Sequence, residues 1–369
     1  MSEAEKLLNE ALSAFDFGGT LVGAVRYGSG HINDTFVVHT QPGEEPCRRF
    51  ILQRISSAAF KHPDEVMANI VGVTKFLGEK IREAGGDPAR ETMSVWATKD
   101  GENFYTDSEG GAWRVYPFVE DTICLQKAET PELFRASAVA FGRFQRMLKD
   151  YPADTLYETI PKVHDTEDRL AKLQAAVEAD VMGRVKEVTA ELKFVEEREA
   201  DCSVALSALR EGRLPLRVTH NDTKLNNILI DRESGEGICV IDLDTVMPGL
   251  SINDFGDSIR FGANHSAEDE RDLTRVNFDL ELFDVYAAGY LEGAGGALTE
   301  AELDYLPWGA KLMTLECGIR FLTDYLEGDH YFRTHREGQN LDRCRTQFKL
   351  VSDMENAWDK MRVVVDKYR

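Results

Sequence analysis

The most informative part of the sequence is HNDTKLNN at residues 220–227, followed by IDLD at residues 241–244. Short apolar runs rich in β-branched residues flank both stretches, with LRVT at 216–219, ILI at 228–230 and ICVI at 238–241. Apolar runs of this length that are bounded by polar loops predict strands. We therefore expect a small sheet that brings the two polar stretches close together.

These two stretches carry side chains suited to phosphoryl transfer. Asn227 and Asp242 offer an amide and a carboxylate oxygen, which are ligands that Mg²⁺ prefers. Asp222 can accept the proton of an attacking hydroxyl, and Lys224 can place a positive charge where the phosphoryl group passes. An Asp, a later Asn and a metal-binding Asp in this order are typical of kinase catalytic loops. An ordinary surface turn rich in Asn and Asp would explain each of these residues alone but not the ordered set. His220, at the start of the set, is expected to brace the backbone.

Strands predominate before this segment and helices predominate around it. Strands are expected at 21–27, 35–40, 48–53, 93–98 and 112–119, and helices at 2–15 and 64–83. Further helices are expected at 131–149, 166–210 in two or three pieces, 279–292, 299–327 and 342–368. The fold class is therefore α+β. We expect a small antiparallel β-rich lobe over residues 1–119 and a large helical lobe with a small embedded sheet over residues 120–369.

A glycine-rich turn separates the first two predicted strands. Gly28 and Gly30 would let backbone amides approach the phosphates of a nucleotide, although glycines also form plain hairpin turns. His31 follows directly and could face an acceptor pocket or lie on the surface. The position of the turn, in the first hairpin of a β-rich lobe upstream of Asp222, favours a nucleotide-covering role.

The overall composition excludes several classes of partner. Acidic residues outnumber basic ones by 65 to 43, so the 369-residue chain has a formal charge of −22 and is expected to repel nucleic acid. No apolar run reaches the ~20 residues of a membrane span, and residues 1–6 lack signal-peptide features, so we expect a cytoplasmic protein without a membrane partner. The six scattered cysteines include no Cys-x-x-Cys pair and are expected to be core residues. We expect a monomer or a weak homo-oligomer.

Six segments, in the same order along the chain, carry a resemblance to a known family. They are YGSGHIN at 27–33, WRVY at 113–116, PLRVTHNDTKLNNIL at 215–229, IDLDT at 241–245, DFGDSIRFG at 254–262, and ECG at 316–318 continuing through Arg320 to EGD at 327–329. On these segments the chain resembles the bifidobacterial N-acetylhexosamine 1-kinases, within the aminoglycoside phosphotransferase and choline kinase group. The resemblance implies a two-lobed protein-kinase-like fold, ATP and Mg²⁺ as cofactors, and a sugar acceptor.

The resemblance also implies a role for individual residues. Asp222 would be the base or would orient the sugar hydroxyl, with Lys224 beside it, and Asn227 and Asp242 would bind Mg²⁺. The residues that would contact the sugar are His31, Asp222, Arg320 and Tyr331. The residues that would bind the nucleotide are Gly28, Gly30, Gln53, Pro117 and Val119, the last two through the backbone of segment 116–119 at the adenine edge.

The third predicted strand departs from the wider kinase pattern. It ends with Gln53 where most kinase-like enzymes have a lysine that binds the α- and β-phosphates. Arg54 should point to the opposite face of the strand. Either the register differs by one residue, or phosphate charge is neutralised mainly by Mg²⁺ and Lys224. The motif Asp-Leu-Asp also replaces Asp-Phe-Gly, and its second carboxylate, Asp244, is a candidate to support the metal site.

We therefore expect an ATP- and Mg²⁺-dependent kinase that phosphorylates the anomeric hydroxyl of N-acetylhexosamines. One alternative is a kinase of the same fold for choline, an aminoglycoside or methylthioribose, and Arg320 at the acceptor position argues against a cationic acceptor. Another is a catalytically silent pseudokinase. The intact Asp222, Lys224, Asn227 and Asp242 argue against that possibility.

Overall fold

The structure, a computed structural model, describes residues 2–28 and 32–369. An antiparallel sheet in the order β1-β2-β3-β5-β4 organises the N-terminal part. Its strands are β1 (Thr20–Arg26), β2 (Asp34–Gln41), β3 (Arg48–Arg54), β4 (Tyr105–Thr106) and β5 (Ala112–Pro117), and its helices are α1 (Glu3–Ala14), α2 (Pro63–Glu83) and α3 (Pro88–Glu91). Because side chains alternate along a strand, the sheet packs α1 on one face and α2 on the other.

The C-terminal part is mainly helical. Its helices are α4 (Pro131–Met147), α5 (Thr166–Ala179), α6 (Thr189–Glu196), α7 (Val204–Arg210), α8 (Ser251–Gly262), α9 (Leu280–Ala294), α10 (Glu300–Glu327), α11 (Gln339–Asn356) and α12 (Trp358–Lys367). Its strands are β6 (Thr122–Ile123), β7 (Arg217–Thr219), β8 (Ile228–Asp231), β9 (Gly237–Val240) and β10 (Met247–Gly249). They form one sheet in the order β6-β8-β9 and a second pair, β7 with β10.

Helix α8 is held against α10 by close backbone contact. A Cβ atom at Gly256 would overlap the carbonyl of Gly309, and one at Gly309 would overlap the carbonyl of Ile252. The aromatic rings of Phe255 and Tyr286 continue this core toward α9 and α4. Since α8 lies directly behind the 220–227 loop, this tight packing fixes the support of the loop.

The α+β class and the two-lobed architecture are confirmed, and most predicted elements are present. The strand predicted at 93–98 is wrong, because that segment makes only single bridges, Trp96 to Val115 and Thr98 to Phe15. The helix predicted at 342–368 is two helices that meet at Ala357. Five of the elements named above were not predicted: α3, α8, β4, β6 and β10.

The boundary between residues 119 and 120 stays a prediction. Helix α2 belongs to the N-terminal part in sequence, yet its buried face packs on Phe144, Leu243 and Val246 as well as on the sheet. None of the helices in the described part of the chain is long and apolar enough to cross a membrane.

Candidate active site

The residues of the predicted catalytic loop lie where three short strands end. Asp222 follows β7, Asn227 directly precedes β8, and Asp242 follows β9 by two residues. Strands β8 and β9 are antiparallel, and the backbone nitrogen of Ile241 donates to the Asn227 carbonyl at 2.9 Å. The pairing of β8 with β9 therefore places Asn227 beside Asp242, as the sequence predicts.

Asp222 is contacted by both polar partners that the sequence places near it. Lys224 Nζ lies 2.6 Å from Asp222 Oδ1, and Asn227 Nδ2 donates to Asp222 Oδ2 at 3.1 Å and to the Asp222 carbonyl at 2.8 Å. Burial alone would lower the pKa of Lys224, but the charges of Asp222 and Asp257 outweigh it and raise that pKa. Lys224 is therefore a cation that lies against the candidate base.

His220 braces the loop, as expected. Its ring is fully buried and packs edge-on against Phe141 and Phe144. Nε2 donates to the Ile241 carbonyl at 2.9 Å, which leaves Nδ1 to accept the backbone N–H of Asp222 at 3.3 Å. The imidazole ring of His220 thus joins the two polar stretches.

Two buried carboxylates of α8 hold the loop from behind, and neither was among the predicted site residues. Asp254 accepts the backbone N–H groups of His220 at 2.9 Å and Asn221 at 2.8 Å. Asp257 accepts the backbone N–H of Thr223 at 3.1 Å. The signal is present in the sequence as acidic residues three apart in a run with Ile252, Phe255 and Ile259, which places both carboxylates on one helix face.

The backbone is left-handed at two positions of the site, Asn221 (φ 64°) and Asp242 (φ 59°). Asn and Asp are the side chains that tolerate this conformation best. Asn221 secures it by donating Nδ2 to the Thr245 carbonyl at 2.8 Å. The Asn and Asp residues are therefore required by the chain path as well as by the chemistry.

Asp242 carries the negative charge that the site leaves without a counterion. Lys224 is 2.6 Å from Asp222, and Arg114 Nη1 is 2.5 Å from Asp244 Oδ1, whereas Asp242 has no ion pair within residues 2–28 and 32–369. Desolvation, followed by the negative charges of Asp244 and Asp222, raises the pKa of Asp242 to about 6. Asp242 is itself exposed, so this desolvation comes from the protein that surrounds the carboxylate and not from complete burial of the residue.

This donor set fits a hard cation bound together with a ligand. The side-chain nitrogen of Asn227 donates to Asp222, so its side-chain oxygen is the atom that can coordinate a cation. The carboxylate of Asp242, which lacks an ion pair among the described residues, lies beside it. Within the described residues, no three His, Cys, Asp or Glu side chains are arranged to hold a metal by themselves. A cation here would need further oxygens, which a phosphate chain supplies.

The glycine turn is described only in part. Gly28 has φ 79°, a conformation that favours glycine, whereas Gly30 and His31 lie outside the described residues. In the segment after β5, the Phe118 N–H donates to the Arg49 carbonyl at 3.1 Å and the Val119 carbonyl accepts the Thr122 hydroxyl at 2.9 Å. These bonds fix the backbone around Pro117 and Val119, and nucleotide binding there stays a prediction.

Gln53 and Arg54 point to opposite faces of β3, as expected. Arg54 pairs with the buried Asp107 at 3.2 Å, on the face of β3 opposite to Gln53. Gln53 accepts Nε and Nη2 of Arg114 at 3.1 and 2.9 Å and donates to the Thr35 hydroxyl at 3.1 Å. The assignment of Gln53 to the usual lysine position stays a prediction. Its partner Arg114 was not among the predicted site residues.

Two of the predicted acceptor residues lie together. Arg320 Nη2 donates to the Tyr331 hydroxyl at 3.4 Å, and the guanidinium lies 5.7 Å from the centre of the Tyr331 ring. Tyr331 is 73% exposed, so its ring is open to a ligand. The structure thus brings Arg320 and Tyr331 together, but it leaves their role a prediction.

A buried carboxylate connects this acceptor side to the catalytic loop. Glu316 lies 3.9 Å from Arg320 and 3.2 Å from His164 Nδ1, and His164 Nε2 donates to the Asn221 carbonyl at 3.3 Å. Burial alone would lower the pKa of His164, but the charge of Glu316 outweighs it and raises that pKa. The chain from Arg320 through Glu316 and His164 ends next to Asp222.

Comparison with known proteins identifies the family and the fold of the chain. The model of the phosphotransferase enzyme family, APH, matches residues 23–300. The chain is similar to an aminoglycoside phosphotransferase from Alicyclobacillus acidocaldarius, with a TM-score of 0.62 and 14% identity over 97% of this chain and 96% of that one.

Two further solved structures share the fold. A choline kinase from Cryptosporidium parvum has a TM-score of 0.59 and 13% identity over 99% of both chains. An amicoumacin kinase in complex with AMP-PNP and Ca²⁺ has a TM-score of 0.55 and 16% identity over 96% of this chain and 94% of that one. Because the family model covers most of the sequence, the chain belongs to the phosphotransferase enzyme family.

Proposed function

We propose that the protein is an ATP- and Mg²⁺-dependent kinase that phosphorylates the anomeric hydroxyl of N-acetylhexosamines, GlcNAc or GalNAc, to give the sugar 1-phosphate. The observation that carries the proposal is the contact of Asp222 with Lys224 and Asn227, beside the uncompensated carboxylate of Asp242. The AMP-PNP bound to the similar amicoumacin kinase supports a nucleoside triphosphate as donor.

In this proposal each residue has a limited task. Asp222 orients the acceptor hydroxyl and takes its proton. Lys224, which is paired with Asp222, also stabilises the negative charge of the phosphoryl group during transfer. Asn227 and Asp242 would hold Mg²⁺, which would neutralise phosphate charge. Phosphoryl transfer depends mainly on positioning and charge neutralisation, and an anomeric hydroxyl is more acidic than an ordinary alcohol. The demand on Asp222 as a base is therefore small.

Arg320 and Tyr331 support a sugar as the acceptor. A cationic side chain with several donors and an exposed aromatic ring offer hydrogen bonds and a stacking face to a polar ring. His31 and Asp222 complete the proposed sugar contacts. A kinase for a cationic hydroxyl compound is the second candidate, favoured by the similarity to a choline kinase and an aminoglycoside phosphotransferase. The positive charge of Arg320 opposes such an acceptor.

The remaining assignments belong to the same proposal. The nucleotide would lie between the lobes, against Gly28, Gly30, Gln53 and the backbone at Pro117 and Val119. The lobes would divide at residues 119 and 120. The protein would act in the cytoplasm as a monomer or weak homo-oligomer on a small sugar, without nucleic-acid or membrane partners.

A screen of ADP release across free sugars, choline and aminoglycosides tests the acceptor class. We expect release with Mg²⁺ on adding GlcNAc or GalNAc and none with their methyl glycosides, whose anomeric oxygen is capped. Phosphorus NMR of the product should show coupling to the anomeric proton. A 6-phosphate, or release only with the cationic compounds, would overturn the sugar 1-kinase proposal and leave the family assignment intact.

A further inference from the structure

Arg114 lies where the N-terminal sheet meets the metal-binding loop. It is the cross-strand partner of Gln53 in the pairing of β3 with β5. Gln53 Oε1 accepts both Nε and Nη2 of Arg114, and Gln53 Nε2 is tied to the Thr35 hydroxyl. Gln53, the residue proposed for the usual lysine position, therefore orients the guanidinium of Arg114, which comes from the neighbouring strand.

The third nitrogen of that guanidinium reaches the other lobe. Arg114 Nη1 lies 2.5 Å from Asp244 Oδ1, and the two side chains are only 1% and 5% exposed. The two atoms lack hydrogen-bond alignment with each other or with another group of the described residues. The contact is therefore an electrostatic one, buried at the boundary between the lobes.

Asn33 makes a second tie to the same carboxylate. Its Nδ2 donates to Asp244 Oδ2 at 2.6 Å, and its Oδ1 accepts the backbone N–H of Ser56 at 2.9 Å. Asn33 lies just after the glycine turn and Ser56 just after β3. Both oxygens of Asp244 are thus held by residues of the N-terminal part.

Asp244 is two residues from Asp242, within the 3₁₀ turn Leu243–Thr245 that follows it. Holding Asp244 therefore fixes Asp242, whose left-handed backbone begins that turn. Pairing Asp244 with Arg114 also removes one of the negative charges near Asp242. Without the guanidinium, three carboxylates would face the cleft with Lys224 as the nearby cation.

We propose that Arg114 is a positioning residue that ion-pairs with Asp244 to lock the cation-binding carboxylate Asp242 to the nucleotide-covering sheet. It does so from β5, in a protein whose β3 strand lacks the lysine. The inference rests on the proposed role of the cleft in binding a nucleotide with a divalent cation. The acceptor plays no part in it.

The test is a double-mutant cycle read by isothermal titration with Mg·ATP and with ATP plus EDTA. Arg114→Met should weaken Mg·ATP binding at least tenfold and change metal-free ATP binding much less, because the lost contact acts through the cation site. Adding Asp244→Asn to that variant should restore most of the affinity, since the carboxylate then no longer repels Asp242. The expected coupling is about 1.4 kcal/mol or more.

Arg54→Met is the matched control, because Arg54 comes from the adjacent strand and pairs with Asp107 on the opposite face of the sheet. It should leave both affinities unchanged. If Arg114→Met does not fold, Asn33→Ala and Arg114→Lys replace it, and each should weaken Mg·ATP binding more than metal-free binding. Equal losses with and without Mg²⁺, or additive effects in the cycle, would overturn the positioning role. Failure of the unmodified protein to bind Mg·ATP would instead refute the proposed function.

Discussion

The support of the catalytic loop by Asp254 makes a prediction that needs no substrate. Asp254 is 1% exposed and accepts three hydrogen bonds, from the backbone of His220 and Asn221 and from Gln145 Nε2 at 3.0 Å. Asp254→Ala leaves three buried donors without a partner. Each costs ~1–3 kcal/mol, so we expect a loss of about 3–6 kcal/mol of unfolding free energy after partial hydration.

Asp254→Asn should cost less, for a geometric reason. Oδ2 serves both His220 and Gln145, so the amide should place its oxygen there and lose only the bond to Asn221. One buried donor facing another costs about 1–3 kcal/mol. The order Ala worse than Asn, by roughly twofold, is specific to this bonding pattern.

Urea unfolding followed by circular dichroism measures the loss, with Glu178→Gln on the exposed face of α5 as the control. Hydrogen exchange should show faster exchange of the 220 and 221 amides in both Asp254 variants, and unchanged exchange in the control. A loss below about 1 kcal/mol for Asp254→Ala, or unchanged exchange at these amides, would refute the reasoning.

Four further predictions concern the site and its support. Asp222→Asn should keep nucleotide binding within a few fold and lower turnover by roughly two to four orders of magnitude, as measured by ADP release; near-normal turnover would remove Asp222 from the mechanism. Asp242→Ala should abolish the enhancement of ATP binding by Mg²⁺ in calorimetry, and a retained enhancement would place the cation elsewhere. His164 has a raised pKa beside Glu316, so its stabilisation is complete below the unfolded value of about 6.5 and is lost as the pH rises through the folded value. The unfolding free energy lost in His164→Gln should therefore be larger at about pH 6 than at about pH 9, and a difference independent of pH would contradict the charged pair. Gly256→Ala should cost about 1–3 kcal/mol in thermal unfolding because its Cβ would overlap the α10 backbone, and an unchanged melting temperature would show that the helices can separate freely.

The loop itself could be predicted because its chemistry is local in sequence. Asp222, Lys224 and Asn227 lie within six residues, and a strand pair of ordinary length places Asp242 beside Asn227. The spacing therefore brings these side chains to one place, and α8 supports the loop from behind. In the structure Asp222 contacts both Lys224 and Asn227.

Helix α8 was missed because its buried face is partly polar. Asn253, Asp254, Asp257 and Ser258 are all buried, and the last three bond to the loop, so polar residues interrupt the apolar periodicity that marks a helix. The break at Ala357 was missed because no Gly or Pro marks it in the sequence. The extended segment at 93–98 alternates as a strand does but bridges β5 only at Trp96.

Arg114 could not be predicted from its own strand. Its partners Gln53 and Asp244 are 61 and 130 residues away in sequence, and Asn33, which donates to the same Asp244, is 81 residues away. The cluster therefore exists only once the register of β3 against β5 and the contact between the lobes are set. A single strand shows only a charged residue in an apolar run. A buried cation needs a partner, and the sequence does not identify that partner.

Under the proposed function, the pairing of charges in the cleft explains how so acidic a chain would bind a polyanion. The chain carries a formal charge of −22, and three carboxylates surround the cleft floor. Lys224 neutralises Asp222 and Arg114 neutralises Asp244, which leaves the negative charge concentrated on Asp242. A phosphate chain that arrives without a cation meets that charge, whereas one that arrives with a divalent cation supplies its counterion. Because Lys224 and Arg114 are already paired, the selectivity of the proposed kinase for a metal-bound nucleotide over a free one should come from Asp242.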